Sequence, residues 1–280
     1  MQKRVAAIHD ISGFGKCSLT VALPIISAVG IETTVMPTAV LSTHTGDIEG
    51  YTYRDLTDDL RPIANHWKNL GIKFDAIYSG FLGSFEQIDI VKDFIDDFRK
   101  NGCVALVDPA MADNGKMYAL FDMAFAKKMA ELCAKADIIV PNITEAAFML
   151  GEEYEEGPYS EEYIMSLLKK LADLGPSNVV LTGVTYGEGV LGAATYNKEN
   201  DEYSYAYAPI IEGYFHGTGD VYASALLAAL LSGKSLAQSA QIAVDFVCGS
   251  IQRTKDAGTD IRFGVNFEAG LYELIKKVNE

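Results

Sequence analysis

The 280-residue chain is short of positive charge: 23 lysines and arginines stand against 38 aspartates and glutamates, a formal net charge of −15. A general nucleic-acid or anionic-membrane binder needs a basic face, so neither partner is expected. A phosphorylated ligand is still compatible, because backbone N–H groups and a divalent cation hold phosphate without net positive charge. Cysteine is scarce too. Cys17, Cys103, Cys133 and Cys248 form no C-x-x-C pair, which points to reduced thiols in a cytoplasmic protein. No apolar run reaches the roughly 18 residues that span a bilayer. The first one, Val5-Ala6-Ala7-Ile8, is too short for a signal peptide. There is no G-x-x-x-x-G-K-[ST], which argues against a P-loop NTPase, and Gly13-Phe14-Gly15-Lys16 has the wrong spacing. Nor does any linker, repeat or low-complexity stretch divide residues 1–280, so a single domain is expected.

What is present is alternation. Short apolar runs (Val5–Ile8, Thr33–Met36, Ala76–Ser79, Val104–Val107, Ile138–Val140, Val179–Leu181) are separated by amphipathic stretches (Ser18–Ala28, Leu56–Leu70, Glu86–Lys100, Ala119–Lys135, Glu161–Leu174). Fully apolar strands between helices predict an α/β fold with a mostly parallel sheet covered on both faces, in three layers. Ligands of such sheets bind at the carboxyl ends of the strands. Gly187–Tyr207 departs from the pattern, alternating at period two as a small antiparallel edge does. Residues 41–53, rich in Ser, Thr, Gly and His, have the composition of a flap over the site. Beyond Gly219 helices are expected at 220–232, Leu236–Thr254 and Phe267–Val278.

Three motifs carry chemistry. Gly217-Thr218-Gly219-Asp220 precedes a small-residue helix, where free N–H groups and the helix dipole suit a phosphate. A carboxylate there makes sense as the base that deprotonates an attacking hydroxyl, or as an ordinary residue near a helix start. Pro141-Asn142-Ile143-Thr144-Glu145 puts an amide and a carboxylate three residues apart, either toward Mg²⁺ and phosphate or closing a capping box. Asp108, before Pro109, is a metal-facing ligand or a cap or ion-pair residue. Gly187-Glu188-Gly189-Val190-Leu191-Gly192 matches G-x-G-x-x-G but leads into strands, so a hairpin bend explains its glycines better than a dinucleotide site.

Asn142-x-x-Glu145 followed by Gly217-Thr218-Gly219-Asp220 resembles the ribokinase superfamily. Ser42-Thr43-His44-Thr45-Gly46, Ser79-Gly80-Phe81-Leu82-Gly83-Ser84 and Asp108-Pro109-Ala110-Met111 extend the resemblance, nearly end to end, to its pyridoxal kinase branch. The resemblance implies a ribokinase-like fold, a homodimer, and ATP- and Mg²⁺-dependent phosphorylation of the 5′-hydroxymethyl of a B6 vitamer. Asp220 would be the base and Gly217, Thr218 and Gly219 the anion hole. Asn142 and Glu145 would organise Mg²⁺ and the nucleotide phosphates with Asp108 nearby, and Thr182-Gly183 would line the nucleotide site. Ser12, His44, Thr45 and Phe81 would surround the pyridine ring.

Three positions depart from that pattern. Phe81 replaces a frequent tyrosine, Val221 replaces a frequent threonine, and Asp10-Ile11-Ser12-Gly13 is closer to hydroxymethylpyrimidine kinases. The alternatives are therefore a hydroxymethylpyrimidine (phosphate) kinase, for which only Lys16 offers an evident second-phosphate contact, a catalytically silent vitamer- or nucleotide-binding protein, and a dehydrogenase. His44 is a substrate contact or a loop histidine bonded to backbone. His9 is expected as a satisfied buried imidazole, His216 as structural, His66 as surface or half-buried packing, and Cys17 as an inert thiol.

Overall fold

The computed structural model describes residues 2–46, 48–99, 102–185, 187 and 189–280. The strands are β1 (Arg4–Phe14), β2 (Glu32–Thr43), β3 (Tyr53–Asp55), β4 (Ala76–Ser79), β5 (Val104–Val107), β6 (Ala112–Asp113), β7 (Lys116–Met117), β8 (Ile138–Ile139), β9 (Asn178–Val184), β10 (Val190–Asn197) and β11 (Glu202–Pro209). The helices are α1 (Leu19–Ala28), α2 (Thr57–Asn69), α3 (Phe85–Phe98), α4 (Met123–Cys133), α5 (Ile143–Leu150), α6 (Glu161–Asp173), α7 (Thr218–Leu231), α8 (Leu236–Asp256) and α9 (Leu271–Asn279).

Nine strands form one sheet in the order β11-β10-β9-β8-β5-β4-β1-β2-β3, and β6 and β7 make a separate hairpin. The pairings β2-β1-β4-β5-β8-β9 are parallel, whereas β3, β10 and β11 are antiparallel additions at the two edges. Apolar side chains alternate between two cores because successive strand residues point to opposite faces. Ile8, Ile77 and Val107 meet α2–α6 on one side; Val5, Tyr78 and Leu106 meet α1, α7, α8 and α9 on the other. This is the mostly parallel, three-layer sheet expected from the alternation. From β1 the chain order runs outward to β2 on one side and to β4, β5, β8 and β9 on the other, so the carboxyl ends beside β1 form the crevice of such folds.

Helix α7 fixes the geometry of that crevice. Its sequence is apolar or small all round, as suits a helix packed between neighbours, and nearly every residue from Val221 to Leu231 is buried between α1, α8 and the sheet. Gly217, at its N-cap, has φ +73°, and a Cβ there would stand 2.0 Å from the Lys16 carbonyl oxygen. Only glycine meets both demands.

Boundaries differ from the sequence expectation where polar residues act locally. Helix α4 begins at Met123 rather than Ala119 because Asp122 accepts from the Phe125 N–H at 3.0 Å and caps it. Strand β1 continues to Phe14, well past Ile8. Residues 41–53 are a hairpin loop between β2 and β3, paired Leu41 to Tyr53; Asp47 lies outside the described residues. Gly187 and Gly189 have positive φ in the turn between β9 and β10, and the register shifts at Gly192, as a hairpin bend requires; Tyr186 and Glu188 are outside the described residues. Among the described residues no helix is long and apolar enough to cross a membrane.

Candidate active site

A cavity of about 680 Å³ opens at the carboxyl ends of the parallel strands, a volume typical of small-molecule sites. All of the candidate residues line it: Ser12 at the end of β1, His44 and Thr45 after β2, Phe81 after β4, Asp108 after β5, Asn142 and Glu145 after β8, Thr182 and Gly183 on β9, and Gly217, Thr218, Gly219 and Asp220 opening α7. The parallel sheet brings them together by ending its strands at one edge.

Asp220 is half-buried and lines the cavity. Burial raises its pKa to about 7; the Ser18 N–H opposes that rise, and the nearby Asp10 charge adds to it. A carboxylate so poised exchanges a proton near neutral pH. No side chain caps α7, so its N-terminal turn presents backbone donors beside that carboxylate.

The start of α5 is built differently. Asn142 Oδ1 accepts from the Glu145 N–H and Glu145 Oε2 accepts from the Asn142 N–H, both at 2.9 Å, a complete capping box. Glu145 Oε1 also accepts from the Met111 N–H at 3.0 Å, and Asn142 Nδ2 donates to the Ala112 carbonyl at 2.8 Å. Asp108 is 7% exposed and Glu145 3%. Burial pushes both carboxyls up, and the mutual proximity of Asp108, Glu145 and Asp220 pushes Asp108 further. Among the described residues no group of three His, Cys, Asp or Glu side chains could cage a metal alone. Mg²⁺ does not require one, since it usually binds one or two carboxylates and completes its shell with water and phosphate oxygens. Three carboxyl groups around one cavity, held back from ionising by burial, are the electrostatic setting that a divalent cation relieves, so the residues fit such an ion.

Around the expected ring site, the His44 ring accepts the Gly46 N–H at Nδ1 and bonds the Arg262 carbonyl through Nε2, so this loop histidine is held by backbone while lining the cavity. Phe81 lines the cavity and is backed by Phe121, centroids 5.5 Å apart, which in turn stacks on the core residue Phe125. His216 packs against His44 and Tyr214, and His66 is exposed. His9 departs from expectation. It is fully buried with its pKa down at about 3 from desolvation, yet neither ring nitrogen has a hydrogen-bond partner among the described residues, and it does not line the cavity. Cys17 lines the cavity, but burial and the carboxylates of Asp220 and Asp10 push its thiol well up, as suits an inert thiol. Lys16 faces away, bonded to Asn266 and Glu268 at 2.9 Å each.

Sequence reasoning missed Asp10 and Ser18 as site residues. Asp10 is 5% exposed, lines the cavity, and accepts from the Ser12 hydroxyl at 3.1 Å and the Ser18 hydroxyl at 2.5 Å. Its place at the end of β1 was a usable signal. Ser18 offered none.

Comparison with known proteins extends this picture. The family model described as phosphomethylpyrimidine kinase matches residues 25–264. Pyridoxal kinase of Arabidopsis thaliana is 29% identical over 196 residues, covering 65% of this chain and 60% of that protein; the chain thus spans well under two thirds of this relative's length. A Bacteroides thetaiotaomicron protein assigned as a phosphomethylpyrimidine kinase, solved with pyridoxal, superposes with a TM-score of 0.94 at 39% identity, covering 98% of this chain and 96% of its own. Pyridoxal kinase from Lactobacillus plantarum gives 0.90 at 27% identity, covering 99% and 98%. The resemblance to the pyridoxal kinase branch is thereby borne out.

Proposed function

The chain belongs to the phosphomethylpyrimidine kinase family, and from that premise we propose that it phosphorylates the 5′-hydroxymethyl group of a B6 vitamer at the expense of ATP. One observation carries the reading: the Asp220 carboxyl, its pKa raised to about 7 by burial, stands at the uncapped start of α7, in the same cavity as the Phe81 ring and the Asp108 and Glu145 carboxyls. Asp220 takes the proton of the hydroxymethyl as its oxygen attacks the γ-phosphorus, and the bond to the ADP oxygen breaks in line. The N–H groups of Gly217, Thr218 and Gly219 receive the charge that develops on the transferred group.

Thr182 and Gly183 border the nucleotide, while Ser12, His44, Thr45 and Phe81 surround the ring. The β2–β3 loop carrying His44 and Thr45 acts as the flap that excludes water. A bound Mg²⁺ would neutralise the ATP phosphates; Asp108 would hold it directly, with Asn142 and Glu145 acting through water because their inward oxygens already serve the capping box. Homodimer assembly and a cytoplasmic location follow as proposals from the family; light scattering tests the first.

Hydroxymethylpyrimidine kinase activity is the second reading, favoured by the Asp10–Ser12 hydrogen bond in the stretch that resembles those enzymes. A substrate already phosphorylated is disfavoured: Lys16 is tied to Glu268 outside the cavity, and Lys116, at an exposed rim position, is the lysine that lines it. The test is ADP release with ATP, Mg²⁺ and pyridoxamine, pyridoxal, pyridoxine, hydroxymethylpyrimidine or its phosphate in parallel. The proposal requires a B6 vitamer to give the highest kcat/KM; a pyrimidine in first place would select the second reading. Binding without ADP release would identify a silent protein.

A further inference from the structure

Ser18 is one of three non-glycine residues with positive φ among those described; the other two, Asn114 and Asp201, are of types that tolerate it. At φ +56°, ψ −128° Ser18 occupies a conformation that costs a serine energy, so the surroundings impose it. Its groups show what the strain achieves. The backbone N–H lowers the pKa of the nearby Asp220 carboxyl, favouring its charged form. The hydroxyl donates to Asp10 Oδ1 at 2.5 Å, while Ser12 donates to Asp10 Oδ2 at 3.1 Å. The carbonyl accepts from the N–H groups of Val21 and Ala22, which starts α1.

The same turn also supports the glycine loop. The Lys16 carbonyl and Cys17 Sγ are the atoms that a Cβ on Gly217 would meet, at 2.0 and 3.2 Å, and the Lys16 N–H is anchored on the Phe263 carbonyl at 2.9 Å. Ser18 itself is 5% exposed, beside a cavity that both carboxylates line.

We propose that Ser18 is a positioning residue for phosphoryl transfer: its hydroxyl holds Asp10 while its strained turn packs Lys16 and Cys17 against Gly217, so that β1, α1 and the start of α7 present the Asp10 and Asp220 carboxyls as one rigid unit. The inference rests on Asp220 being the base. Ser18 needs no contact with substrate. Its hydroxyl acts through Asp10, whose orientation toward the cavity would otherwise depend on Ser12 alone. Three structural elements then meet at one residue, and a small displacement there reaches the reacting oxygen.

The test is a cycle of Ser18→Ala, Asp10→Ala and the double variant, assayed by ADP release with ATP, Mg²⁺ and the best substrate of the parallel panel. Ser18→Gly, which is free of strain at positive φ, serves if Ser18→Ala unfolds. Ser18→Ala is expected to lower kcat on the order of tenfold, with KM for ATP within about twofold of the parent. In the Asp10→Ala background the same change is expected to have no further effect, since the hydroxyl then has nothing to hold. Parental kcat in Ser18→Ala, or losses that multiply independently in the double variant, would overturn the positioning role. If Asp220→Asn in the same assay loses turnover while Ser18→Ala keeps the parental kcat, only this inference falls; if Asp220→Asn turns over normally, the base assignment falls with it.

Discussion

Two helix starts border the cavity, and they solve the same problem in opposite ways. At α5 a capping box meets two of the free N–H groups of the helix start, and Glu145 spends both oxygens on backbone. At α7 the N-cap is a glycine in the left-handed region, no side chain caps, and the first-turn carboxylate stands apart with its pKa raised. The first is closed on itself and holds shape. The second is left open for a ligand, and the buried helix behind it keeps it from closing. A polar residue near a helix start is therefore informative about function only once its partners are known.

The contrast can be broken from either side. Asp220→Asn keeps the shape of the open start and removes its base, so kcat for ADP release is expected to fall by about 10²- to 10⁴-fold with thermal stability retained. Gly217→Ala attacks the turn itself: a Cβ 2.0 Å from the Lys16 carbonyl forces the loop to move, and kcat is expected to fall on the order of 10²-fold together with the thermal midpoint. At the closed start, Asn142→Ala removes one half of the box and is expected to cost about 1 kcal/mol, a midpoint lowered by about 2–4 °C in a thermal melt.

Stability against pH probes the open start as well. The Asp220 pKa is raised on folding, from an ordinary 3.8 to about 7, so the folded state holds this proton more tightly than the unfolded one. Its contribution is full below about pH 4 and is lost as pH rises through about 7. Asp220→Asn is expected to flatten that part of the ligand-free melting profile. An unchanged slope would show that Asp220 is not desolvated as described.

Much of this was legible in the chain. The apolar runs at 76–79 and 104–107 coincide with β4 and β5 because fully buried strands leave little room for other patterns. The strand-end rule gathers Asp108, Asn142 and Glu145 from the sequence alone, since a parallel sheet puts those ends on one side; Asp220 is marked instead by the glycine turn before its helix. For Asn142 and Glu145 the sequence offered two readings, and it could not choose, because a capping box and a phosphate-facing pair use the same i, i+3 spacing. Strand β3 was not legible: its three exposed residues carry no apolar signal and owe their extended form to pairing with β2. Ser18 was hidden for a different reason. Its conformation goes with the bond to Asp10 and the packing of Lys16 against Gly217, a contact between segments distant in sequence, and no local propensity puts serine at positive φ.

The central claim is that the open start of α7 works through an ionised Asp220. It is tested most directly by kcat/KM for the best ring substrate between pH 5 and 9, with ATP and Mg²⁺ saturating. The account predicts an acid limb centred near pH 7, where Asp220 loses its proton, and its disappearance in Asp220→Asn. A flat profile across that range, or the same limb at a comparable rate in Asp220→Asn, would contradict it.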